Sequence, residues 1–503
     1  MRHFDCLTDL RIAAATTAAL LIPSLTLAVP PVIGPQVRID VGGGTFAANE
    51  TSAAANPLDE LEVVGTWNDW RRSTASEIIN MGVAVSLNGG TTWTDFLVRP
   101  PLANQSNVEG DPMTCSDPRT GNIWVGAISF AGNGGLYVAR KNIGATTFQP
   151  SVMARVTSSA DKCWMTAGPI PGNPNSTRLY IAYNQGVIRS DDLGATWSAP
   201  VSLGSGLGFL PRVGPAGELY VVYWNAGSGM ILRRSFDGGL TFGAAITIAT
   251  RLDVWGTQDG TRFPGRYRAP SLGYLAVDPN TGTLYYVYFD TTNIDANGRN
   301  VNLYFTKSTT QGASWSVPVV INGDTVPAGD QFFNWLECDS QGRLHLVFND
   351  TRGIVQVDDN INGMHNCYYS YSDDAGATWN ETRLTPNAWD SNNDGLNRSD
   401  QFIGDYLSLA VAGDRAYPCY LSSQNGNADI FVHAIVRPHL LGDMNCDGVV
   451  DILDINPFIL ALSDPAAYAA AWPDCDISNG DVNGDGNVDI LDINPFTALI
   501  AGG

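Results

Sequence analysis

The chain runs to 503 residues and carries 28 Lys and Arg against 50 Asp and Glu, a formal net charge of −22. Phosphate contacts need clustered Lys and Arg, so this balance excludes a nucleic-acid binder. The sequence also lacks a Gly-x-Ser-x-Gly elbow, a His-Glu-x-x-His pair and a phosphate loop, and so offers none of the chemistries those motifs support.

At the N-terminus, Arg2 and Arg11 precede a helix-prone apolar run, Ile12 to Ala28, that ends in small residues before Val29-Pro30-Pro31. Residues 1–28 read as a secretory signal peptide. A membrane anchor is the alternative, against which Pro23 and the shortness of the run both count. No later stretch is long and apolar enough to span a bilayer, so the mature protein is expected to be secreted or held at the cell surface. Without Cys6, seven cysteines remain, an odd number that leaves at least one thiol free or bonded to another chain. Cys446 and Cys475 could pair within the C-terminal segment.

Between Gln36 and Pro438 one short motif returns. Its clear copies are Ser86-Leu-Asn88-Gly-Gly90-Thr-Thr92-Trp93, Ser190-Asp-Asp192-Leu-Gly194-Ala-Thr196-Trp197, Ser235-Phe-Asp237-Gly-Gly239-Leu-Thr241-Phe242 and Ser372-Asp-Asp374-Ala-Gly376-Ala-Thr378-Trp379. Ser308-Thr-Thr310-Gln-Gly312-Ala-Ser314-Trp315 has lost the acid, and Lys141 to Phe148 is a decayed sixth. The motif spells a hairpin turn. The Asp or Asn side chain accepts from nearby backbone N–H groups, the Gly supplies a positive φ, and the aromatic ring covers the turn. Its acids are therefore architectural. Between the boxes lie short aromatic and β-branched runs that read as strands. They are Leu61–Trp67, Gly121–Ile128, Arg178–Tyr183, Glu218–Trp224, Thr283–Phe289, Arg343–Phe348 and Arg415–Leu421. The last unit has no box, and Val37–Val41 is expected to supply its missing strand.

These repeats resemble the Asp-box, or bacterial neuraminidase repeat, of sialidase-like β-propellers. The resemblance implies an all-β propeller over residues 36–438, with seven blades by the count above and six as the alternative. It also implies a functional face around the central channel. Polar residues at the ends of the inner strands are the candidates for that face: Glu50, Asn68, Asp69, Glu109, Asp111, Asp161, Lys162, Arg212, Arg266, Arg268, Asp290, Asp330, Asp350, Arg352, Asp400, Asp405 and Tyr406. A sialidase requires three Arg to clamp the substrate carboxylate, a Tyr nucleophile polarised by Glu, and an Asp acid/base. Arg212, Arg268 and Arg352 are the candidate clamp, and Tyr406 the candidate nucleophile. The Arg-to-Tyr spacing of the sialidases is not evident.

The C-terminal segment repeats a different motif. Asp443, Asn445, Asp447, Val449, Asp451 and Asp454 stand at positions 1, 3, 5, 7, 9 and 12 of a loop with Gly448 at position 6. Asp481, Asn483, Asp485, Asn487, Asp489 and Asp492 repeat the spacing around Gly486. Both match the twelve-residue EF-hand calcium loop, position 7 giving its backbone carbonyl, with Asp in place of the usual Glu at position 12. Residues 441–503 carry 11 Asp and no Glu, Lys, Arg or His. Carboxylates so crowded repel one another unless a cation joins them, so two Ca²⁺ ions are expected to supply much of the folding energy here. Each loop runs on through Asp-Ile-Asn-Pro-Phe, and the pair resembles a type I dockerin, a small helical EF-hand-like domain. That resemblance implies a cohesin-like partner. Positions 10 and 11, Ile452-Leu453 and Ile490-Leu491, are unusually apolar for partner-recognition sites, and Pro457 and Pro495 are expected to interrupt the helices that follow.

Two functional readings remain open. One is a secreted glycan-active enzyme, a sialidase-like glycoside hydrolase attached through its dockerin. The other is a non-catalytic propeller that binds glycan or protein at the cell surface.

Overall fold

The computed structural model describes residues 30–71, 79–102, 108–225, 228–250, 269–270, 272–295, 298–324, 329–354, 363–396, 401–437, 440–446, 449–472, 475, 477–485 and 487–502. The leader expected at residues 1–28 lies outside them, as do Arg266, Arg268, Asp400 and Asp447. Two compact units divide the chain, one spanning Pro30–Pro438 and the other including His439–Gly503.

The first unit is all-β. Its described strands form seven small antiparallel sheets, six built on meanders of consecutive strands and the seventh taking in Val32–Ile33 and Val37–Arg38 from the N-terminal end. The first strands of the sheets are Ala48–Asn56, Glu109–Ser116, Trp164–Ile170, Leu207–Val213, Tyr274–Val277, Gln331–Cys338 and Ser408–Ala412. Each touches the first strand of the next sheet, and that of the last sheet touches that of the first, so the sheets form a closed cycle. The aromatic runs expected as strands fall in the second strand of every sheet, for example Leu219–Asn225 and Leu344–Asp350. They are buried on both faces because each sheet is sandwiched between two others, so their apolar sequence is nearly continuous rather than alternating. Val37–Arg38 pairs antiparallel with Asp429–Val432 and supplies the seventh sheet with the strand it lacked.

The box turns explain the spacing of their residues. In the second copy, Ser190 Oγ donates to Asp192 Oδ1 (2.8 Å) and accepts from Gly194 N (2.9 Å), while Thr196 donates to Asp192 from both N (2.9 Å) and Oγ1 (2.6 Å). Leu193 and Gly194 both sit at positive φ, as a tight hairpin turn of the right twist requires. The indole of Trp197 donates to Gly194 O (3.0 Å) and closes the loop. The turn also reaches the preceding sheet, whose Trp124 Nε1 donates to Leu193 O (3.1 Å). The decayed copy solves the same problem differently. Gly144 N donates to Glu62 Oε2 of the preceding sheet (2.9 Å), and Lys141, at the position of the Ser, pairs with the other oxygen of Glu62 with both side chains fully buried.

Among its described residues the second unit has three helices, α1 (Ile455–Ser463), α2 (Pro465–Ala471) and α3 (Ile493–Gly502). Its core is small. Phe458 and Phe496 occupy equivalent places in the two repeats and stack with ring centroids 3.9 Å apart. Met444, Ala461 and Tyr468 surround them. Cys446 and Cys475 form a disulfide. Pro457 and Pro495 do not interrupt α1 and α3, contrary to expectation. Each is the third residue of its helix, where a backbone N–H has no intrahelical acceptor to lose.

Candidate functional site

The first strands line the axis of the cycle, and several share one irregularity. Glu50, Asp111 and Phe333 sit at bulges in their strands, and Lys162 lies two residues ahead of Trp164. All four hold positive φ, as do Gly208 and Gly404 at matching places in the fourth and seventh sheets. Non-glycine residues resist this conformation, and such strain gathers at functional sites.

Four of these sheets send polar groups to one place. Tyr406 donates to Glu50 Oε2 (3.1 Å) and lies 3.5 Å from Asp111 Oδ1. Asn68 Nδ2 donates to the same Glu50 oxygen (2.8 Å). Lys162 Nζ stands 3.7 Å from Asp111 Oδ1, 3.4 Å above the centroid of the Tyr406 ring and 4.3 Å from that of Trp164. Lys162 and Asn68 are each 4% exposed, and Tyr406 is 3% exposed. Burial pulls the Lys162 amine below its ordinary range, and the charge of Asp111 opposes the drop. Burial pushes the Tyr406 phenol well up, with Glu50 and Asp111 adding to the rise, so it stands as a protonated donor. Asp405 is half-buried, and its charge acts on both Lys162 and Tyr406.

Two residues further along the strands the axis turns aromatic. Trp164 packs edge-on against Tyr406, Trp335 and Tyr274, with centroids between 5.6 and 5.9 Å apart. Two residues further again come Arg212 and Glu337, 2.6 Å apart, with Trp335 Nε1 also on Glu337. Strand alternation puts these three levels on one face of each strand. Tyr406, two residues after Gly404, belongs to the aromatic layer, and Arg212 stands one level beyond that layer, over the Trp335 ring and bonded to Glu337.

Arg352 is spent elsewhere. It bonds Asp350 through N (2.5 Å) and Nε (2.6 Å) and reaches Glu381 on the fourth strand of its sheet (2.6 Å). Arg212, Arg352 and Tyr406 are thus not brought together, and Arg268 lies outside the described residues. Of the other strand-end candidates, Glu109 accepts from Tyr137 and from Met81 N, and Asp330 accepts from Val301 N. Both serve the packing of neighbouring strands.

In the second unit the loop oxygens gather backbone N–H groups. Asp454, fully buried, accepts from Met444, Asn445 and Asp451 N, and Asp492 accepts from Asn483 and Asp489 N. Asp481 Oδ1 accepts from Gly484 and Asp485 N, Asn483 from Asp485 N, and Asp485 from Asn487 N. Asp443 is buried, whereas Asp451, Asp489 and Asn445 are partly exposed, and Val449 and Asn487 are exposed. Among the described residues no three His, Cys, Asp or Glu side chains are already grouped around one point. Ile452, Leu453, Ile490 and Leu491 all face solvent, between 62% and 76% exposed. No helix among the described residues is long and apolar enough to cross a membrane.

No family model matches the chain, and no curated protein does. Among solved structures, a lectin from Burkholderia pseudomallei is 13% identical, with 78% of this chain and 97% of that one covered and a TM-score of 0.48. The α-L-arabinanase of Penicillium chrysogenum, complexed with arabinobiose, is 13% identical over 81% of this chain and 99% of that one, with a TM-score of 0.43. A Hadza microbial sialidase is 18% identical over 80% and 68%, with a TM-score of 0.40. Likenesses this loose leave the architecture resting on the chain's own sheets and box turns.

Proposed function

We propose that the chain is an exported, seven-bladed propeller that binds glycans around its axis without the sialidase reaction, and that its C-terminal unit is a calcium-dependent dockerin-like module. One observation carries the choice of binding over sialidase catalysis. Among the described residues the Arg clamp is not assembled, since Arg212 lies beyond the aromatic layer on Glu337 and Arg352 is held by Asp350 and Glu381. The closed cycle of seven sheets supports the blade count. A glycan screen that includes sialosides, scored for both retention and turnover, tests the reading. Saturable binding without turnover is the expected result, and release of sialic acid by the purified protein would reverse it.

The C-terminal donor set fits Ca²⁺: it is oxygen-only, and the backbone turns already hold Asp481, Asn483 and Asp485 in loop order. Asp443, Asn445, Asp447, Val449, Asp451 and Asp454 would hold one ion. Asp481, Asn483, Asp485, Asn487, Asp489 and Asp492 would hold the other. The exposed Ile-Leu pairs at matching positions of the two loops form the surface offered to a cohesin-like partner, which must present apolar side chains to cover them.

A further inference from the structure

The axial cluster leaves bonds unmade. Lys162 Nζ, Asn68 Oδ1, Trp164 Nε1 and Tyr274 OH are all buried, and none has a hydrogen-bond partner among the described residues. Buried polar atoms without partners are rare, and each costs about 1–3 kcal/mol when left so. Four of them around one axis, next to four strained backbone positions, mark a place shaped for something else to fill.

The chemistry of the filler follows from the groups. Three of the unmet atoms are donors and one is an acceptor. A sugar hydroxyl both donates and accepts, so a few adjacent hydroxyls meet all four. The surrounding charge selects further. Glu50, Asp111 and Asp405 act on the cluster, against Lys162 within it and Arg212, which acts on Tyr274. Among the described residues an anionic sugar entering there meets more carboxylate than cation, and the one Arg whose charge reaches the cluster, Arg212, is paired with Glu337, which is the reverse of what a sialoside requires. Aromatic rings at the next level, tilted and edge-on to one another, give an apolar wall against which a sugar's C–H face can pack. Asp111 and Asp405, both partly exposed, stand where the cluster meets solvent.

We infer that the axial cluster is the binding site for the terminal residue of an uncharged glycan, with Lys162 and Asn68 as its polar anchors. The inference rests on the glycan-binding reading and names its ligand class. Isothermal titration of the full chain with neutral oligosaccharides and with sialyllactose tests it, together with the variants Lys162→Met and Asn68→Ala. Thermal melts establish that each variant is folded. Because Lys162→Met removes the partner of Asp111, Asn68→Ala, which changes no charge, is the second variant. Neutral oligosaccharides are expected to saturate, sialyllactose not to, and both variants to weaken binding about tenfold or more. Neutral binding unchanged in both folded variants would overturn the axial site while leaving the glycan reading in place. Sialyllactose binding as tight as neutral binding would overturn the ligand class. Failure of every glycan to bind would remove the glycan reading itself, and this inference with it.

Discussion

Arg71 and Arg352 occupy the same place in two different sheets. Each follows an Asn-Asp-x-Arg sequence at the end of a second strand, Asn68 to Arg71 and Asn349 to Arg352. Each donates its backbone N and Nε to the Asp two residues before it and reaches a carboxylate on the fourth strand, Asp95 or Glu381. The pair are clasps that tie strand two to strand four across the width of a sheet. Their equivalence is the reason to read Arg352 as a structural group and not as a substrate ligand.

Arg352→Ala and Arg71→Ala should therefore behave alike. Each leaves a buried carboxylate without its partner and is expected to lower propeller stability by about 2–4 kcal/mol. Urea unfolding followed by tryptophan fluorescence measures it. Glycan affinity should be unchanged in Arg352→Ala, and its loss in a stably folded variant would return Arg352 to the site.

The Lys141–Glu62 pair makes a sharper case, since both side chains are fully buried. Lys141→Met should cost about 3–5 kcal/mol, because Glu62 keeps its charge with no cation beside it. The double variant Lys141→Met/Glu62→Gln should recover a large part of that loss, since the amide still accepts from Asn56 and Gly144. A double variant no more stable than Lys141→Met alone would contradict this account.

Gly404 has φ of +87°, and a Cβ built there would lie 2.9 Å from Glu50 N and 2.7 Å from Glu50 Cγ. Gly404→Ala should destabilise the propeller by about 2 kcal/mol or more. It should also displace Glu50 from Tyr406. Calorimetry reads the first effect and glycan titration the second.

His365 is buried against Trp389 and bonds Gly363 O through Nδ1, and burial lowers its pKa to about 3. Its folded value lies below its unfolded value of about 6.5. The unfolded chain therefore takes up a proton that the folded chain refuses, and stability is full above pH ~6.5 and falls as the pH drops below it. Between pH 6.5 and 5 this single group should account for roughly 2 kcal/mol. Chemical denaturation of the protein and of His365→Phe at both pH values isolates it, and the variant should show the shallower fall.

Chelation of the full chain should unfold the C-terminal unit and leave the propeller's melting transition in place. Reduction of Cys446–Cys475 should make the calcium requirement steeper, because the disulfide closes a loop between residues 29 apart and removes about 3–4 kcal/mol of unfolded-chain entropy. Differential scanning calorimetry with and without Ca²⁺ and reductant resolves the two transitions. A C-terminal transition indifferent to calcium would sink the metal assignment.

Much of the fold was legible because its signals are local. Each box encodes a turn within eight residues, and each second strand is a run of aromatic and β-branched side chains. Val37–Arg38 could be placed because the last unit had one strand too few. The site was legible only as a set of strand ends. Glu50, Asn68, Asp111, Lys162 and Tyr406 stood among those candidates, but so did Glu109, Asp330 and Asp350, which serve packing. What separates them is the bulge that rotates Glu50 and Asp111 toward the axis, and a bulge in a non-glycine sequence leaves no composition mark. The repeated Asn-Asp-x-Arg was a readable signal that was missed. Pro457 misled because a proline's effect depends on which turn of the helix it occupies.

The pairing of Val37–Arg38 with Asp429–Val432 joins two segments nearly four hundred residues apart in a single sheet. A polypeptide emerging from its N-terminus cannot complete that sheet until almost all of the propeller has been made. Until then two strand edges stay open to other chains. The circle is thus the last thing to form, and a truncation that removes the chain through Arg38 should leave a gap that opens under load.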